Sequence, residues 1–93
     1  MDSGVWAHRI GEALSEEDVL KLAHEYIVTR DPRDIALLPP QLQPPRTFTP
    51  ADITEFSYRL AAYHGHEETA RVIHRIAGVI GRAAVRLAEL SRR

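Results

Sequence analysis

Apolar residues recur at helical intervals in four stretches of this chain, and the last stretch is the most regular. Ile73, Ile76, Ile80, Ala83, Leu87 and Leu90 are separated by three, four, three, four and three residues, the spacing of a coiled-coil-like seam. Beside them Ala70, Ala77 and Ala84 form a second line at seven-residue intervals, which Gly81 and Ala88 extend. Small side chains there let another helix backbone come close. Val72, Val79 and Val85 add apolar surface around the cylinder. The pattern predicts one long helix over residues 66 to 92, wrapped on more than one side in its middle and central to a bundle.

Two earlier helices announce their starts. Ser15 precedes EEDVLKLAHEYIV, where its hydroxyl can accept from an orphaned amide while Asp18 partly fills the reciprocal place of a capping box. Leu14 and Val19 stand at the positions of a hydrophobic staple. Thr49 repeats the arrangement, with Pro50 first in the helix, Asp52 in the box, and Phe48 set to staple Ile53. From Ser15 the set Val19, Leu22, Ala23, Tyr26 and Ile27 predicts a helix that ends at TRDP; from Thr49, Ile53, Phe56, Leu60 and Tyr63 predict another that reaches YHGHEE. Val5, Trp6, Ile10 and Leu14 predict a shorter first helix weakened by Gly11. Gly65 either closes the third helix or is a weak point in a longer one.

All six prolines fall between Pro32 and Pro50 and divide the chain. The pairs at 39–40 and 44–45 favour extended polyproline geometry, so residues 31–49 are expected as a surface connector pinned by Ile35, Leu37, Leu38 and Leu42. No two prolines stand three apart, so the spacing read by proline-binding modules is missing. The expectation is therefore a single all-α domain, 1–93: N-terminal helices over 1–30, the connector, and a C-terminal helical hairpin or long broken helix over 50–93. Three to four helices form the bundle.

Length adds a further expectation. At about 1.5 Å per residue the final helix is roughly 40 Å long, against roughly 21 Å for the one begun at Ser15. Either the N-terminal helices share its length or a second copy of the chain covers the remainder. A homodimer is expected, with Ile73, Ile76, Ala77, Ile80, Ala83, Ala84, Leu87 and Leu90 at its interface. Ninety-three residues sit near the lower end of self-sufficient domains, which favours such help.

Composition narrows the chemistry. The chain has no cysteine, which excludes disulfides, thiolate zinc sites and a cysteine nucleophile, and makes a cytoplasmic location the simplest expectation. No stretch approaches the roughly 18 apolar residues of a membrane span, and the N-terminus lacks the pattern of a secretory signal. Net charge is −1, but residues 71–93 hold six arginines against Glu89 alone. Arg71, Arg75, Arg82 and Arg86 share one side of the helix, which makes them the candidate phosphate contacts. No aromatic residue interleaves with them to stack on bases. Around Gly65, a comparison with a helix-turn-helix fails because His64, His66, Arg71 and His74 stand where that motif wants apolar side chains.

HGHEE brings ligand types together at His64, His66, Glu67 and Glu68, with His74 further on. Residues i and i+2 of a helix point apart, so the expectation is polar histidines at a helix junction and no metal or other cofactor. RLAAYH, Arg59 to His64, resembles the R-x4-H motif of the HEPN ribonucleases, helical proteins whose dimers bring such residues together for RNA cleavage. That resemblance implies RNA cleavage by Arg59 and His64. Eleven arginines and five histidines also generate this spacing by chance, and Leu60 replaces the polar residue common after the arginine. The expectation is thus a non-enzymatic protein that binds protein, first itself and then a larger partner as a regulator, adaptor or inhibitor. A nucleic-acid-associated regulator is the alternative.

Overall fold

Each α-helix whose start is fully described begins behind a short polar side chain that accepts from one of its first free amides. Asp2 accepts from the Val5 amide at 3.0 Å, Ser15 from Asp18 at 3.1 Å, Asp31 from Arg33 at 2.9 Å and Thr49 from Asp52 at 3.1 Å. The resulting elements, in a computed structural model that describes residues 2–65 and 67–92, are α1 (Ser3–Gly11), α2 (Glu16–Val28), α3 (Pro32–Ala36), a 3-10 turn (Pro40–Leu42), α4 (Pro50–Ala61) and α5 (Glu67–Ser91). Among the described residues there is no strand, and the fold is all-α.

The start of α4 is the most completely bonded. The Asp52 carboxylate accepts from the Thr49 amide at 3.1 Å and from the Thr47 hydroxyl at 2.8 Å, which closes the capping box. These donors, the Thr49 amide foremost, then Thr47 and Thr49 side chains, hold the Asp52 carboxyl below its ordinary range. At α2 the staple does not form. Leu14 is 77% exposed, and Ala13 takes the interior position at that corner instead.

The connector also departs from the extended expectation. Proline is disfavoured inside a helix but suits its first turn, so Pro32 opens α3 and Pro40 opens the 3-10 turn. The Gln43 amide donates to the carbonyls of Ile35 at 3.1 Å and Leu38 at 2.8 Å, tying the segment into a folded loop. Leu38 and Leu42 are buried and Ile35 packs against the core, whereas Leu37 faces solvent.

α5 is the axis of the molecule. Its 25 residues run for about 37 Å, close to the longest dimension of 40 Å, and α1, α2 and α4 pack against it. Ile76, Val79, Ile80 and Ala83 form the floor of a core completed by Ile10, Val19, Ala23, Tyr26, Ile53 and Phe56. Tyr26 joins three helices: its ring meets Trp6 edge-on at 5.8 Å, and its hydroxyl lies 3.3 Å from Ser3 Oγ and donates to the Arg75 carbonyl at 3.4 Å. α4 and α5 pack against each other. Between them Tyr63 folds over Gly65 so closely that a Cβ there would strike its phenol ring, and Gly65 does this without left-handed backbone.

The seam of α5 is consequently closed from within. Ile73, Ile76, Ile80, Ala83 and Leu87, expected to face a second copy, are buried inside the single chain because α1, α2 and α4 cover that side. Ala77, Ala84 and Leu90 are half-buried against the same core.

Candidate functional site

With its seam internal, α5 has two sides left, and both follow from the 100° step between residues. One side is the arginine stripe. The structure splits it. The Arg86 side chain is 12% exposed, and its Nε donates to the Ala13 carbonyl at 2.8 Å, at the corner between α1 and α2. Arg82 lies against Gly11, where an added Cβ would sit 2.8 Å from its guanidinium. Both also approach Glu89, at 3.8 Å from Arg82 and 3.7 Å from Arg86. Arg86 fastens α5 to the α1–α2 corner, and Arg82 lies alongside it.

Arg71 and Arg75 are exposed at the other end of the helix. They line a groove of about 600 Å³ together with Asp34, Leu37, Glu67, Glu68 and Val72. Three carboxylates border two guanidinium groups there, so the local field is mixed in sign. Four arginines in line on a helical wheel thus become two pairs in different surroundings.

The other side of α5 is small and uncharged. Ala84 and Ala88, with Leu87 beneath and Ser91 beyond, meet Pro50, Ala51, Thr54 and Tyr58 of α4 across an open groove of about 570 Å³. Gly81 continues this side toward Ser57, where a Cβ would be in ordinary contact with the hydroxyl at 3.8 Å. Tyr58 stands on the α4 wall with 73% of its surface exposed, and Val85 on α5 is 52% exposed. Glu16 and the ion pair of Glu55 with Arg59, one helical turn apart, also line it. Searched against known proteins, the chain matches no family model, no curated protein and no solved structure.

The remaining candidates are scattered. Arg59, one half of the R-x4-H spacing, holds Glu55, while His64 is exposed beyond the end of α4. His8, His24 and His74 are exposed on three different helices, and His66 lies outside the described residues. Among the described residues no three potential metal ligands come together, and no helix is long and apolar enough to cross a membrane.

Sequence reasoning missed the α4 wall of the groove. It followed the buried face through Ile53, Phe56 and Leu60 and passed over Tyr58. The available signal was an aromatic residue lying off that face, two positions after Phe56 and two before Leu60.

Proposed function

We propose that this chain is a non-enzymatic binding domain that presents the groove between α4 and α5 to another protein, in the manner of a small regulator, adaptor or inhibitor. The observation that supports this reading is Tyr58, an aromatic side chain 73% exposed beside a mostly apolar trough of small residues. Tyrosine in such a setting is a typical anchor of protein interfaces, and covering one is worth about 2 kcal/mol or more. The small residues of α5 let a partner backbone approach closely, and the charged rim sets orientation. Nucleic-acid association, the alternative, would rest on Arg71 and Arg75 with Glu67 and Glu68 beside them.

A photo-reactive phenylalanine analogue at position 58, compared with the same group at position 75, tests the reading in living cells. Protein adducts at 58 with none at 75 are expected. Equal capture at both positions, or nucleic acid captured at 75, would overturn it.

A further inference from the structure

We infer that the partner at this groove is a second copy of the chain, docked through the same face about a two-fold axis so that each Tyr58 enters the other's trough. The inference rests on the binding reading above and names its occupant. A face can close on itself only if it holds both a projection and a matching recess. This one does: Tyr58 projects from α4 beside a recess floored by Ala84 and Ala88.

The rim charges fit the same symmetry. Glu55 and Arg59 are one turn apart on α4, with side chains 60% and 54% exposed. A two-fold axis between antiparallel α4 helices sets Arg59 of one copy against Glu55 of the other, and the reverse, so each charge, already paired along its own helix, meets a second opposite charge. A parallel arrangement would set like against like.

Area sets the strength. A compact monomer of 10.5 kDa exposes about 5,400 Å², and this chain exposes 5947 Å², so a modest excess is available for cover. The exposed side of α4, about 18 Å long, together with the adjoining stretch of α5, offers on the order of 400 Å² per copy, half the roughly 800 Å² of a standard interface. An interface of that size is characteristic of a weak, transient dimer.

Sedimentation equilibrium on the full chain, from about 10 μM to about 1 mM, reads this directly. The mass is expected to rise with concentration from 10.5 kDa toward twice that value. Tyr58→Glu and Ala88→Arg, both at exposed positions and checked for helicity by circular dichroism, are expected to raise Kd about tenfold or more. Arg75→Glu, in the other groove, is expected to match the unaltered chain. Arg59→Glu alone and Glu55→Arg alone place like charges across the axis and stay monomeric, whereas their equimolar mixture regains the dimer. A mass fixed at 10.5 kDa throughout, an Arg75→Glu effect equal to that of Tyr58→Glu, or a mixture that stays monomeric would each overturn the inference. If the mass stays fixed while the group at position 58 captures a different protein in cells, only this inference falls; if neither association occurs, the binding reading falls with it.

Discussion

Arg86→Met separates an arginine that holds the fold from one that faces solvent. In the folded chain the Arg86 Nε donates to the Ala13 carbonyl at 2.8 Å, and the guanidinium lies 3.7 Å from Glu89. Ala13 is itself buried, so after the substitution its carbonyl stays at a packed corner without that donor. A hydrogen bond with one charged partner contributes about 1.5–3 kcal/mol, and most of this is lost when the acceptor is left behind. The ion pair adds about 0.5 kcal/mol or less because Glu89 is largely solvated. Methionine keeps the packing of the arginine stem, which returns a fraction. The net cost is about 2 kcal/mol, or a fall in Tm of about 10 °C for a domain of this size. Urea and thermal unfolding followed by circular dichroism would measure it, with Arg75→Met as the exposed comparison expected within about 0.5 kcal/mol of the parent. Equal stability of the two variants would refute the fastening role of Arg86, and with it the division of the arginine stripe.

Two further outcomes follow from single positions. Gly78 sits inside α5 with nothing within 4 Å of an added Cβ, so Gly78→Ala is expected to stabilise the chain by about 0.5–1 kcal/mol, seen as a higher urea midpoint at unchanged m. Asp52 has its carboxyl pKa lowered by folding, so its contribution is fully present above the unfolded value of about 3.9 and is lost as pH falls through the lower folded value. Urea midpoints measured from neutral pH down into that acidic range are expected to decline less steeply for Asp52→Asn than for the parent.

The parts of this fold that were legible in the sequence are those decided by neighbours along the chain. Ser15 and Thr49 bond to amides three residues away, and the rhythm from Ile73 to Leu87 marks one buried arc whatever covers it. What covers that arc is a tertiary matter. The length of α5 suggested a second copy, yet three shorter helices of the same chain share that length. The connector was misjudged for a related reason: the proline pairs at 39–40 and 44–45 were weighed as enforcing extended chain, whereas Pro32 and Pro40 serve as first residues of short helical turns. The candidate site was the least legible part. Its walls come from α4 and α5, and nothing local to Tyr58 tells that Ala84 and Ala88 stand across from it. A wheel projection likewise groups the four arginines and cannot see the carbonyl of Ala13 that Arg86 meets or the Gly11 that Arg82 lies against.

The placement of α5 at the centre has a consequence for biosynthesis. The three helices that rest on it all precede it along the chain, so Trp6, Val19 and Ile53 are synthesised before the surface that will shelter them. At roughly 5–20 residues per second, the 25 residues of α5 take about 1–5 s to translate. A nascent chain stalled at Gly65 should therefore be cut readily by a protease that the completed protein resists, and that interval is when a chaperone would find it.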